Sequence, residues 1–188
     1  IYADIEMAFK LSYAIGMLFA GRLIDKLGTK IGYALATGLW SIAAIAHSFA
    51  KGGFGLGVAR VFLGITESGN FPAAIKATAE WFPKKERALA TGIFNSGANI
   101  GAIVAPLSVP LIAESWGWQW AFILTGITGI IWLILWFIFY EVPRMQKRVS
   151  VEELAYIESD KDEVVQEQSS EEKNEKISWG KLLTYKQT

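Results

Sequence analysis

The sequence predicts an all-α integral membrane protein, and two observations carry that prediction. Three runs, 31–50, 88–113 and 118–140, contain no Asp, Glu, Lys or Arg. Each meets the length of about 20 residues that a helix needs to cross a bilayer. The basic residues sit between the runs, and alternate loops are rich and poor in them. Composition agrees, with 52% hydrophobic residues, 11 Phe, 8 Trp and 18 Gly. A soluble domain averages about 45–50% apolar residues even with Gly counted. The zero net charge hides a split, because most of the acid lies beyond residue 148. There is no Cys, which excludes disulfides.

Five spanning helices are expected, at about 6–24, 31–49, 54–79, 86–113 and 118–140. The breaks carry turn signals: Leu27-Gly28-Thr29, Lys51-Gly52-Gly53, Trp81-Phe82-Pro83 and Glu114-Ser115-Trp116-Gly117. Pro83 suits the first turn of a new helix and disfavours continuation of the one before. Trp81, Trp116, Trp118 and Trp120 fall at expected interfaces, where amphipathic rings collect. After Pro143 the chain turns polar and acidic, and 143–188 reads as a linker with one or two short amphipathic helices. Ser150-Val151-Glu152-Glu153 has the form of a capped helix start. Residues 164–176 read as flexible chain.

Orientation follows from the basic residues. Arg22, Lys26 and Lys30 flank the first loop, Lys84, Lys85 and Arg87 fill the third, and Arg144, Lys147 and Arg148 follow the fifth helix. The second loop has only Lys51 and the fourth has none. The excess of Lys and Arg places the odd loops and the tail in the cytoplasm and residue 1 outside. With no initiator Met and no signal peptide, the expectation is a piece of a longer chain.

Two charges lie inside the third expected span, in Arg60-Val61-Phe62-Leu63-Gly64-Ile65-Thr66-Glu67. Ionisable residues are expensive there and mark ion or substrate paths. Seven residues make nearly two helical turns, so Arg60 and Glu67 share a face roughly 10 Å apart. Arg60 can grip a carboxylate with a two-pronged fork. Glu67 in a low dielectric can load and release a proton near neutral pH. Gly64 between them leaves room for a ligand or a neighbouring helix. A purely structural Arg60–Glu67 pair is the alternative, and the spacing is long for one. His47 reads as a satisfied or interfacial histidine.

The ten residues Gly21-Arg22-Leu23-Ile24-Asp25-Lys26-Leu27-Gly28-Thr29-Lys30 fill every defined position of G-x-x-x-D-[RK]-x-G-x-[RK]. The glycines permit a sharp turn, and Asp25 can pair with a cation or cap a helix start. This resembles the loop between the second and third helices of the major facilitator transporters. Arg60-x-x-x-Gly64-x-x-Glu67 followed by Pro72, and Trp81-Phe82-Pro83-x-x-Glu86-Arg87, resemble the anion:cation symporter family within them. Leu27 to Tyr33 and Lys76 to Pro83 are most similar to its bacterial hexuronate branch.

The resemblance runs from Tyr2 to Tyr156 and implies the second to sixth helices of a twelve-helix carrier, then the central cytoplasmic linker. It implies proton-coupled symport of an organic anion, a hexuronate or related sugar acid, in the inner membrane, by a carrier that is a monomer when full length. It assigns anion contact to Arg60, proton coupling to Glu67 and a place in the substrate cavity to Tyr13. Gly21, Asp25, Lys26, Gly28 and Lys30 become a gating loop that stabilises one conformation, with Glu86-Arg87 as the candidate partner region of Asp25. Asn95 and Asn99, one turn apart, either face the cavity or bond across helices. Gly97 and Gly101 read as a packing step.

Other functions fit less well. A drug or metabolite antiporter of the same superfamily would carry an adjacent Gly-Pro signature that Gly97, Gly101 and Pro106 match only loosely. A transport-dead sensor would use the same cavity. An intramembrane enzyme would need a nucleophile with its base, or a metal cluster. With no Cys, one His and no acids at ligand spacing, no enzyme, cofactor, metal or nucleic-acid role is expected; the partners are a small anion, a proton and the bilayer.

Overall fold

A computed structural model describes residues 2–159. The chain folds into α1 (Tyr2–Leu27), α2 (Thr29–Ala46), α3 (Gly52–Glu67), α4 (Asn70–Trp81), α5 (Lys84–Trp116), α6 (Trp118–Phe139) and α7 (Val151–Glu158). Short 3-10 turns at His47–Phe49 and Pro143–Met145 extend α2 and follow α6. No strand occurs among the described residues. The flexible stretch expected at 164–176 lies outside them.

Four helices, α1, α2 with its 3-10 extension, α5 and α6, are long and apolar enough to cross a membrane. The expected third span, 54–79, is not one helix. It is divided into α3 and α4 at Ser68 and Gly69. Pro72 is the cause, since it has no N–H for the Ser68 carbonyl and its ring crowds that carbonyl. Ser68 and Gly69 keep right-handed helical dihedrals, so the break is a kink rather than a loop. Pro106 and Pro110 lie inside α5 without ending it.

The packing is inverted relative to a water-soluble bundle. The buried positions are mostly small: Ser12, Ala20, Gly32, Ala34, Ser41, Ala43, Ala44, Ala73, Gly126 and Gly129. Large apolar residues face outward, with Phe54 87% and Leu107 67% exposed. In water such a surface would aggregate; in lipid, close approach of backbones through small residues holds helices together.

Two seams show this. On α1 and α3, a Cβ at Gly64 would collide with Ser12, and one at Gly16 would collide with Ser68. On α2 and α6, Gly129 lies against Ser41 and Gly126 against Ile45. The room expected at Gly64 is therefore filled by α1. By contrast, a Cβ added at Gly97 or Gly101 would meet nothing within 4 Å, so no helix among the described residues packs on their step.

Candidate functional site

The α1–α3 seam positions the intramembrane charges. Gly64 lets α3 lie directly on the backbone of Phe9 and Tyr13. One turn away, the Arg60 guanidinium sits 6.0 Å from the centre of the Phe9 ring, a cation–π arrangement. The Phe9 and Tyr13 rings are 6.1 Å apart. The Glu67 carboxylate is within electrostatic reach of both Tyr13 and Arg60. Tyr13, Arg60 and Glu67 are half-buried, so each is held by protein yet retains an open side. The structure thus brings these three sequence-identified residues together.

Trp40 is a fourth member, which sequence reasoning missed. Its indole N–H lies within reach of the Glu67 carboxylate. The ring packs on the buried cluster of Ala43, Ala44 and Leu63, and Leu63 lies one turn before Glu67. Trp40 also borders a cleft of 640 Å³ between α2, α4, α5 and α6, shared with Thr37, Asn70, Ser108 and Thr125. Thr37 donates to Asn70 across that cleft at 3.0 Å. Neither Tyr13, Arg60 nor Glu67 lines it. Its lining is mostly apolar, and the charged constellation is the better candidate for an anion.

Asn95 and Asn99 are exposed on α5 and do not line that cleft. The structure does not bring them to Arg60. His47 is fully buried, stacked on Phe122 at 5.0 Å. Its Nδ1 meets the Ala43 carbonyl at 2.8 Å, while Nε2 has no hydrogen-bond partner among the described residues. The expectation of a satisfied histidine holds for one nitrogen only.

The charged loop is built as a clamp. Gly28 adopts φ 76° at the start of α2, a conformation that favours glycine. Gly21 has open space around it and Lys26 is exposed. Asp25 pairs with Lys76 of α4 at 2.7 Å, not with the 86–87 region. The reason is local: α4 runs beside the end of α1, and Lys76 also reaches the Ile24 carbonyl at 3.4 Å. Arg87 instead caps α4, donating to the Phe82 and Ala79 carbonyls, and Glu86 accepts from Tyr156.

Lys30 pairs with Glu141 beyond α6 at 2.6 Å, and that hydrogen bond holds the Glu141 carboxyl below the usual range. Glu80, also unforeseen, accepts from Thr29 at 2.5 Å and from Tyr140 at 2.6 Å. Trp136 and Trp81 donate to the Lys30 and Glu141 carbonyls. The loop is therefore bolted to α4 on one side and to the end of α6 on the other.

Comparison with known proteins agrees with this architecture. The family model described as Major Facilitator Superfamily matches residues 5–187. The chain is 41% identical over 186 residues to the hexuronate transporter of Escherichia coli (strain K12), covering 99% of this chain and 42% of that protein. It is 41% identical over 156 residues to the galacturonate transporter of Dickeya chrysanthemi, covering 83% and 45%. It is 38% identical over 151 residues to the D-galactonate transporter of Escherichia coli O6:H1, covering 80% and 35%. The chain thus spans less than half the length of these curated relatives, all of them named transporters. A helical chain with lipid-facing apolar helices, the loop clamp and this match is a membrane protein that belongs to the major facilitator superfamily.

Proposed function

We propose that this chain forms the anion- and proton-binding part of a secondary active symporter for a hexuronate or related sugar acid, rather than an enzyme. One observation carries the reading: Tyr13, Arg60 and Glu67 converge beside the α1–α3 seam, where a lone charge facing lipid would be strongly unfavourable. The similarity to named sugar-acid transporters supports the substrate class. The basic loops support an inner-membrane orientation with residue 1 outside and the tail in the cytoplasm, and the intact carrier is read as a monomer.

The coupling follows from Coulomb's law. Arg60 offers a planar fork to the substrate carboxylate, and Tyr13 offers a hydroxyl. An ionised Glu67 competes with the substrate for the field of Arg60. At roughly 10 Å and an effective dielectric of about 20, that competition is worth about 1–2 kcal/mol, or roughly tenfold in affinity. A proton on Glu67 removes it. By linkage, the anion then strengthens proton binding by the same factor, so the two load and leave together. The loop clamp of Asp25–Lys76 and Lys30–Glu141 serves as the gate that weights one conformation.

The test uses the intact carrier in vesicles. Glu67→Gln mimics the protonated acid. It should keep binding and substrate-for-substrate exchange but lose uptake driven by a proton gradient. Arg60→Lys, unable to make the planar contact, should lose most binding in both assays. If Glu67→Gln still concentrates a sugar acid with wild-type pH dependence, Glu67 is not the proton carrier and its charge serves only to orient Arg60.

A further inference from the structure

We infer that the turn after α6 binds the phosphate of an anionic phospholipid, with Lys147 and Arg148 as its cationic pair. The inference does not depend on the substrate or on proton coupling. α6 ends at Phe139, and the chain reverses through the 3-10 turn at Pro143–Met145. That reversal is fixed rather than loose. The Met145 N–H donates to the Val142 carbonyl at 2.8 Å, the Gln146 N–H to the same carbonyl at 3.0 Å, and Pro143 is buried. The Gln146 side chain reaches back to the Phe139 carbonyl. Beyond the turn, Ser150 caps α7 by accepting from the Glu153 N–H. Arg144 grips Glu158 through two hydrogen bonds of 2.6 and 3.0 Å, and Ile157 is buried. Residues 146–148 therefore hang between two anchors, folded over the end of α6.

The fold leaves a cleft of 290 Å³ there, lined among others by Lys30, Phe139, Glu141, Gln146, Lys147 and Arg148. Its charge balance is positive: three cations against one carboxylate. That carboxylate, Glu141, is already occupied by Lys30 at 2.6 Å. Lys147 and Arg148 are exposed and make no ion pair among the described residues. A polar amide, Gln146, adds a further donor.

The remaining wall is apolar and continuous with the outer face of α6. Ile138 is 67%, Phe139 61% and Met145 71% exposed. A soluble anion would use the charge and have no use for that wall. A phospholipid uses both, its phosphate on the cations and its acyl chains along α6. The position suits it, since the cleft lies where α6 leaves the hydrocarbon and the Trp81 and Trp136 indoles bond at the same level.

The experiment is native mass spectrometry of the purified protein, offered equimolar phosphatidylglycerol and phosphatidylethanolamine with matched chains. A basic residue near an anionic lipid surface contributes about fivefold, so the pair should favour phosphatidylglycerol by roughly 25-fold at low salt, with the preference falling as salt rises. Lys147→Gln/Arg148→Gln should retain the two lipids almost equally, whereas Arg148→Lys should stay close to wild type. Both residues are exposed, and an unchanged circular dichroism spectrum shows that each variant is folded. Equal retention by the wild type, or an unchanged preference in the double glutamine variant, overturns the assignment. So does displacement of phosphatidylglycerol by an equal amount of inorganic phosphate, which would make the cleft a site for a soluble anion.

Discussion

Substitution of Gly64 by Ala tests the central claim about how the site is built. A Cβ at Gly64 would lie 2.6 Å from the Phe9 carbonyl oxygen and 3.1 Å from the Tyr13 nitrogen, and would collide with the Ser12 hydroxyl. Optimal non-bonded separations are about 3.5–4.0 Å, so the Phe9 backbone must retreat by roughly 1 Å. Ser12 cannot yield easily, because it is buried and its hydroxyl donates to Phe9 at 2.8 Å. The obstacle is the backbone of α1, so the helices themselves must part. Overpacking of this kind costs about 1–3 kcal/mol. Against it stands the gain in helix propensity of Ala over Gly, about 1 kcal/mol. Gly92→Ala in α5 has open space around it and receives the propensity gain alone. The difference between the two variants therefore isolates the overpacking. At roughly 2–4 °C per kcal/mol for a domain of this size, Gly64→Ala should melt several degrees below Gly92→Ala in detergent, followed by circular dichroism. It should also weaken anion binding, since Phe9 and Tyr13 move relative to Arg60. A Gly64→Ala melting temperature within a degree of Gly92→Ala would refute the seam as the element that sets the site.

Three further outcomes are expected. Trp40→Phe keeps the ring on Ala43, Ala44 and Leu63 but removes the indole N–H within reach of Glu67, so gradient-driven uptake should fall several-fold while exchange stays near wild type; equal losses in both assays would reduce Trp40 to packing. Asp25→Asn removes the carboxylate that holds Lys76 and should shift the inward–outward balance of the intact carrier in accessibility labelling; an unshifted balance ends the gating role. The Glu141 carboxyl is held low by the Lys30 hydrogen bond, so its contribution to stability is present above the unfolded value of about 4.3 and lost as pH falls through the lower folded value. The melting temperatures of wild type and Glu141→Gln should then keep a constant gap from pH 7 to 5 and converge in stronger acid, and a gap that closes between pH 7 and 5 would contradict that assignment.

What is legible in the sequence is whatever a single helix can encode. Charge-free runs locate the long helices, and the expected 118–140 is Trp118–Phe139 in the structure. Gly28 announces a turn, and its positive φ explains why glycine stands there. The Arg60–Glu67 spacing fixes a shared face with no knowledge of any neighbour. Partners on other helices are not legible. Nothing in the spacing says that α4 runs beside α1, so the sequence points to the next cytoplasmic loop, Glu86-Arg87, rather than to Lys76. Nothing marks Trp40 as a neighbour of Glu67, because an indole in an apolar run reads as packing. The seam itself is half visible: Ser12 with Gly16, and Gly64 with Ser68, are each one turn apart. Only the pairing of the two helices turns them into reciprocal contacts.

The kink is the most available of the features that sequence reasoning misses, and it carries the most mechanism. Pro83 reads as a helix stop, while Pro72, inside the expected third span of 54–79, does not. Its effect falls four residues earlier, at Ser68, immediately after Glu67. Two consequences meet at that point. The Ser68 carbonyl is deprived of the Pro72 N–H, which loosens the helical ladder immediately after the residue proposed to carry the proton. Ser68 is also the residue against which Gly16 packs, so the weakest point of the α3–α4 rod coincides with one of its close contacts on α1. Discontinuous helices in transporters gather around the midplane site for this reason: broken backbone supplies polar groups and a hinge together. A shift of α1 against α3 would bend the rod at Ser68–Gly69 and swing α4, with Lys76 and its Asp25 pair, relative to the α3 segment that carries Arg60 and Glu67. If Glu67 carries the proton as proposed, coupling helix movement to protonation needs no long pathway, because the seam, the kink and the carboxyl meet within residues 64–69.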